Sequence, residues 1–297
     1  MSVVKAYPGS ISCILYEAAI KLKNAGIKEG RSEAEIILSE ITGLSRLKLY
    51  ANSKESVSPA VKEHFDEAVK LRSKRFPMAY VVGKKEFYGH EYYISPEVMV
   101  PRPESELLID AVRSRLNNSE KGYFQELNIV DLGTGSGVLA ITLALLFPRS
   151  LLWAVDVSPE ALKVAQKNAR LHRVDDRITF LEGDFWEALD SKPYHFNMII
   201  SNPPYIPRCQ LDNLEPEIKK YEPRCALDGG ADGLESYRNI FAGMKYYASL
   251  PAILALEIDI NCARKIISLG RQEPLIKEME IINDYSNLDR IFMGLMY

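Results

Sequence analysis

From Leu127 to the end of the chain, apolar runs of strand length alternate with helical patterns, and this alternation constrains the fold more than any other feature. The runs are residues 128–132, 151–157, 178–182, 196–201, 253–258 and 278–282, with 290–295 a candidate edge strand. Strands separated by helices pair in parallel, which predicts an α/β fold with an open, mostly parallel sheet and helices on both faces. Ligands of such sheets sit outside the carboxyl ends of the strands. The residues that directly follow each run are therefore the candidate site.

The first run leads into Asp131-Leu132-Gly133-Thr134-Gly135-Ser136-Gly137, and a helix follows near Val138. Glycines at every second position permit tight turning and close backbone approach to a ligand. The dinucleotide fingerprint G-x-G-x-x-G would need glycine at 138, where Val138 stands, and the Gly-Lys-Ser/Thr ending of a phosphate-gripping loop is absent. A positively charged ligand without phosphates, such as S-adenosylmethionine, suits this loop better. The second run ends at Asp156, about 20 positions on, where an acidic residue accepts hydrogen bonds from ribose hydroxyls. The third ends in Gly183-Asp184-Phe185. Asp184 is placed to face an adenine amino group and Phe185 to pack on the ring.

The fourth run ends directly in Asn202-Pro203-Pro204-Tyr205. Consecutive prolines make the loop stiff and stop the strand. An amide or aromatic amine nitrogen is a poor nucleophile, because its lone pair is delocalised. Two acceptors, the Asn202 side-chain oxygen and the Pro203 carbonyl, can hold its hydrogens, and both bonds strengthen as the nitrogen gains positive character. Tyr205 can stack on the planar group. Attack needs no general base, since the nitrogen becomes acidic only after methylation. These residues predict methylation of a planar nitrogen.

The front of the chain reads differently. Ser10 caps a helix ending at Gly26; Ser32 with Glu35 forms a capping box for a second helix closed by Gly43; a short helix follows Ser45; Ser58-Pro59 opens a fourth that stops before Pro77. This predicts a small helical domain over residues 1–78. Aromatic and β-branched residues interrupted by glycine predict a linking β-hairpin over 79–100, and residues 101–297 form the catalytic domain. Residues 1–85 carry 15 Lys+Arg against 9 Asp+Glu, whereas 86–297 carry 22 against 31. The basic front could meet an acidic protein or a nucleic acid. Cys13, Cys209, Cys225 and Cys262 lack metal or redox spacing and suit a reducing compartment. The longest apolar run is half a membrane span, and the N-terminus lacks the pattern of a signal peptide. The expected location is cytoplasmic, with no membrane association and no metal.

Nearly the whole chain resembles the HemK/PrmC family, the peptide chain release factor glutamine-N5 methyltransferases. Residues 31–38 and 78–88 resemble the family's helical domain and hairpin. Val100-Pro101-Arg102-Pro103-Glu104-Ser105-Glu106 resembles its Pro-Arg-Pro-Glu/Asp-Thr-Glu signature, with Ser105 in place of the usual Thr. Residues 221–227, Gly229, Gly230, Asp232, Gly233, Leu234, Asp289 and Arg290 fit further family stretches. The resemblance implies a seven-stranded class I (Rossmann-like) methyltransferase domain behind a substrate-docking helical bundle. It implies S-adenosyl-L-methionine as cofactor, S-adenosyl-L-homocysteine as product, and the glutamine of a release factor's Gly-Gly-Gln motif as substrate. Gly133, Thr134, Gly135, Ser136, Gly137, Asp156, Asp184 and Phe185 would hold the cofactor. Phe185 stands where some members carry Trp. Asn202 would touch both cofactor and substrate; Pro203, Pro204 and Tyr205 would touch the glutamine.

Two alternatives share the tetrapeptide. One is a ribosomal-protein glutamine methyltransferase. The other is an adenine-N6 methyltransferase of DNA or RNA, which would need base flipping and a broad basic surface. The acidic catalytic part argues against the second, and no stable nucleic-acid binding is expected.

Overall fold

A computed structural model describes residues 9–117, 126–189 and 194–297. The first eight residues of the expected helical domain lie outside the described residues. The chain forms two compact units. One takes Met1–Gly83 and Glu215–Tyr221, and the other Lys84–Leu214 and Glu222–Tyr297.

The first unit opens with α1 (Ile11–Asn24), α2 (Gly30–Thr42), α3 (Arg46–Ala51) and α4 (Pro59–Ser73). Ser10, Ser45 and Ser58 cap α1, α3 and α4 by accepting hydrogen bonds from Cys13, Lys48 and Val61 backbone N–H groups. Gly43, at φ 68°, ends α2. The expected capping box does not form, because α2 starts two residues before Ser32. A Cβ on Gly30 would lie 3.0 Å from the Ala19 carbonyl oxygen, so α1 and α2 meet almost backbone to backbone. Glu35 turns inward instead. At 1% exposure it accepts hydrogen bonds from Arg31 (2.7 Å), Arg46 (2.6 Å) and Tyr50 (2.6 Å). Leu22, Ala34, Leu38 and Phe65 form the fully buried centre of this unit.

The stretch expected to begin the hairpin is a short helix, α5 (Met78–Val82). Pro77 and Gly83 (φ 75°) bracket it, Ala79 and Tyr80 are buried, and Met78 and Val81 pack on the helical core. Burying these side chains outweighs the strand preference of two valines. The hairpin itself is β1 (Lys84–Phe87) and β2 (His90–Tyr93). Tyr88 and Gly89 connect them with φ of 51° and 74°, as a two-residue primed turn requires.

The second unit continues with α6 (Glu106–Asn117), β3 (Asn128–Leu132), α7 (Val138–Leu146), β4 (Leu151–Asp156), α8 (Pro159–Leu171), β5 (Ile178–Glu182) and β6 (Phe196–Ser201). The short helix α9 (Pro216–Tyr221) belongs to the first unit. There Glu217 accepts hydrogen bonds from Arg72 (2.9 Å) and Arg75 (2.7 Å), while Arg72 also donates to Glu33 (2.6 Å). The chain closes with α10 (Glu235–Tyr247), β7 (Ala248–Glu257), α11 (Ala263–Gly270), β8 (Ile276–Asn283) and β9 (Asp289–Met296).

The sheet order is β5-β4-β3-β6-β7-β9-β8. β5, β4, β3, β6 and β7 run parallel to one another, and β9 pairs antiparallel with both β7 and β8. β9 is therefore interior and β8 is the edge, contrary to the reading of residues 290–295 as an edge strand. The burial pattern explains this: Ile291, Phe292, Met293 and Met296 are buried, whereas β8 is mostly exposed or half-buried. The order reverses between β3 and β6. Two adjacent crossovers leave to opposite sides there, and a crevice opens at the carboxyl ends of these two strands.

Candidate active site

Both sequence motifs leave the sheet at that crevice. β3 ends in the glycine loop and β6 in the Asn202 loop, and the two strands pair directly, with Asp131 opposite Ile200. A cleft enclosing about 960 Å³ of space open to solvent is lined by Gly133, Gly135, Asp156, Phe185, Asn202 and Pro204, among others.

The glycine loop is held from below. Gly133 and Thr134 N–H groups donate to the Val155 carbonyl (2.9 and 2.8 Å). Asp131, fully buried, accepts from the Thr134 hydroxyl (2.7 Å) and the Ala140 N–H (3.3 Å), and its other oxygen has no partner among the described residues. Burial pushes the Asp131 carboxyl up to about 7, against the lowering effect of Thr134. The three glycines differ in what they do. All have positive φ, but a Cβ on Gly133 or Gly135 would meet only open space, whereas one on Gly137 would press on Ile141 (3.0 Å) and Ala165 (3.1 Å). Gly137 lets α7 and α8 approach and does not line the cleft; Gly133, Thr134, Gly135 and Ser136 do.

Asp156 ends β4 with 9% exposure. One carboxylate oxygen accepts from Gly135 N–H (2.8 Å) and the other from Ser158 N–H (2.9 Å). Burial raises its pKa, with the backbone donors opposing that shift. Each oxygen keeps a lone pair for a ligand hydroxyl. Asp184 is exposed at the rim, and Phe185 adopts φ 47° while packing partly on the sheet core. Both line the cleft.

Asn202 is half-buried, and its Nδ2 donates to the Ser105 hydroxyl oxygen (3.1 Å). Pro204 shares the cleft with it; Pro203 is buried, and neither Pro203 nor Tyr205 lines the same space. Tyr205 packs on the core of the sheet, and burial raises its phenol pKa. The loop is braced by a second segment. Ile206 N–H donates to Leu227 and Gly229 N–H donates to Ile206. A Cβ on Gly229 would sit 2.7 Å from Tyr205 Cα, and one on Gly233 would sit 2.4 Å from the Tyr205 carbonyl oxygen. The glycines of this stretch thus allow two backbones to touch behind the tetrapeptide.

Three further residues support the site, of which Asn168 and Glu257 belong to no sequence motif. Asn168, with no exposed surface, donates to the Ser136 carbonyl (2.9 Å) and bonds both backbone groups of Tyr93, tying the glycine loop to the hairpin. Arg102 donates to the buried Glu222 (2.6 Å), so the loop arginine joins two walls of the cleft. Glu257, buried at the end of β7, accepts from the Ser105 hydroxyl (2.5 Å). An acidic residue closing an otherwise apolar strand was the signal available for it.

The chain matches the family model "PrmC N-terminal domain" over residues 14–83 and "Methyltransferase small domain" over 104–214. It is 36% identical over 280 residues to the release factor glutamine methyltransferase of Moorella thermoacetica, covering 94% of this chain and 96% of that protein. The chain belongs to the release factor glutamine methyltransferase family. A second member of that family, from Chlorobaculum tepidum, is 35% identical, with 89% and 90% of the two chains covered. Among solved structures, the hMettl16 catalytic domain in complex with a MAT2A 3′UTR hairpin superimposes with a TM-score of 0.54 over 81% of this chain and 83% of that one. At 12% identity this likeness shows the methyltransferase fold alone. Among the described residues no helix is long and apolar enough to cross a membrane.

Proposed function

We propose that this chain transfers a methyl group from S-adenosylmethionine to the side-chain amide nitrogen of the glutamine in the Gly-Gly-Gln motif of peptide chain release factors. The observation that carries this reading is the match to release factor glutamine methyltransferases along 94% of the chain, through both units. A likeness confined to the sheet would equally fit other methyltransferases. The front unit is the proposed docking element for the release factor, and the reaction belongs to the cytoplasm, where translation ends.

The residues present fit the cofactor. Gly133 and Gly135 leave a cradle that any Cβ would fill, Asp156 has lone pairs to offer ribose hydroxyls, and Asp184 and Phe185, which line the same cleft, are the proposed adenine contacts. When bound, S-adenosylmethionine supplies a methyl group on a positively charged sulfur, and Asp156 lines the cleft that would hold it.

Asn202 carries the chemistry toward the substrate. Its NH2 is engaged by Ser105, which leaves its oxygen to accept a hydrogen from the glutamine amide. The Pro203 carbonyl is the proposed second acceptor. As the amide nitrogen gains positive character, both hydrogen bonds strengthen, which favours the transition state over the bound substrate. Pro204, which lines the cleft, would confine the planar amide, with Tyr205 packed behind the loop.

The test is a labelled methyl transfer assay offering a release factor, its Gln-to-Ala variant at the motif glutamine, a ribosomal-protein substrate and duplex DNA side by side. Label on the release factor alone, lost in the glutamine variant, is expected. Preferential label on DNA or on the ribosomal protein would replace this reading.

A further inference from the structure

Behind Asn202 lies a chain of hydrogen bonds that ends in a buried carboxyl. Asn202 Nδ2 lies 3.1 Å from Ser105 Oγ, and Ser105 Oγ lies 2.5 Å from Glu257 Oε2. Ser105 is 3% exposed and Glu257 1%. The three residues come from three places: the loop after β6, the 3-10 turn Pro103–Ser105 that opens α6, and the last position of β7. The Glu257 carboxyl also receives the Tyr205 hydroxyl at 3.5 Å, and the Glu257 backbone carbonyl receives the Tyr237 hydroxyl at 2.8 Å.

The order of donors follows from valence. A carboxylate only accepts, and a serine hydroxyl has one hydrogen. Ionised Glu257 takes that hydrogen, so Ser105 can only accept from Asn202. The amide of Asn202 must then turn its NH2 to Ser105 and its oxygen to the cleft. Without this constraint the two ends of an asparagine amide are nearly the same shape, and the flipped form would present NH2 to the substrate's own NH2.

We infer that Glu257 and Ser105 are positioning residues that fix the amide orientation of Asn202, so that its oxygen faces the substrate nitrogen. This deepens the proposed function and rests on Asn202 acting as the hydrogen acceptor in it. Protonation of Glu257 releases the constraint: a carboxylic acid can donate to Ser105, whose hydrogen is then free to point at Asn202 and select the flipped amide. The groups that face Glu257 are Arg290 on β9, Glu104 and Ser105 on the 3-10 turn, Tyr205 on the Asn202 loop and Tyr237 on α10. Burial raises the carboxyl to about 7, opposed by the Ser105 hydrogen bond and the Arg290 charge. The orientation is therefore expected to change as pH passes through about 7.

Two measurements test this on the intact chain. The first is nuclear magnetic resonance without substrate, following the Asn202 side-chain amide signals across a pH titration of the Glu257 carboxyl. The amide signals are expected to follow Glu257 ionisation in the wild type and in S105T, and to lose that dependence in S105A. The second is methyl transfer kinetics on the release factor. S105A is expected to lower kcat roughly ten- to a hundred-fold, with S105T restoring most of the loss, and adding E257Q to S105A is expected to cost nothing further. E257Q alone is expected to remove the rise of kcat with pH. Asn202 signals indifferent to Glu257, wild-type turnover in S105A, or losses that multiply in the double variant would overturn the inference. Coupled signals in a wild type that transfers no methyl to the release factor would instead overturn the proposed function and leave the positioning intact.

Discussion

Single atoms carry the proposed chemistry at this site. In the proposed mechanism the Asn202 side chain supplies an acceptor that no other residue of the tetrapeptide can replace, since Pro203 offers only its backbone and Tyr205 is turned to the core. N202A is expected to lower kcat by about 10²–10³, the scale of losing one hydrogen bond to a developing charge, and to keep S-adenosylmethionine binding when measured by calorimetry. Glu257 has a second consequence, for stability. Its carboxyl titrates near 7 when folded and near 4.5 when unfolded, so between those values the folded chain holds a proton that the unfolded chain releases. Its contribution is complete below about pH 4.5 and is lost as pH rises through 7. Relative to E257Q, the wild type is expected to lose about 3 kcal/mol of unfolding free energy across this window, measured by urea denaturation at several pH values. A constant difference between the two proteins would contradict the burial argument.

At the scale of elements, glycines sort by what their missing side chain would meet. G133A puts a methyl group into the cleft at a positive φ, so it is expected to weaken cofactor binding and to cost about 1–2 kcal/mol of backbone strain. G229A drives a Cβ into Tyr205 and is expected to lower kcat about a hundred-fold by displacing the Asn202 loop, with cofactor affinity nearly unchanged. Calorimetry and kinetics on the two variants separate these outcomes. In the helical unit, burial raises the pKa of Glu217, but hydrogen bonds from Arg75 and Arg72 outweigh it and hold it low. That stability is present above the usual carboxylate range and fades as pH falls. E217Q is expected to cost roughly 1.5–3 kcal/mol at neutral pH and much less in acid, read by thermal or urea unfolding.

What was legible in the sequence follows the range of the interaction. Caps at Ser10, Ser45 and Ser58 act within three residues and were read directly. The parallel strands announce themselves by apolar runs, and the two loops at the crevice by their position after those runs. The errors lie where a distant partner decides. Gly30 starts α2 because α1 lies against it; residues 79–82 are helical because that face is buried; β9 enters the sheet because β7 needs a neighbour. Ser105 and Glu257 stand 152 positions apart, and nothing local links a serine before a helix to an acid at the end of a strand.

On the scale of the whole molecule, the glycine loop, Asp156 and the Asn202 loop belong to one unit, and the basic residues concentrate before residue 86. The remainder carries 22 Lys+Arg against 31 Asp+Glu, an unfavourable field for a polyanion. Excess duplex DNA is therefore expected to leave methyl transfer to the release factor unchanged, as a competition assay would read. The central claim is that the methyl group goes to a glutamine amide nitrogen held by Asn202. Tandem mass spectrometry of the release factor after reaction tests it most directly. The account predicts the mass of one methyl group on the side chain of the motif glutamine, formed about 10²–10³-fold more slowly with N202A. A methyl group on any other residue, or undiminished labelling by N202A, would contradict it.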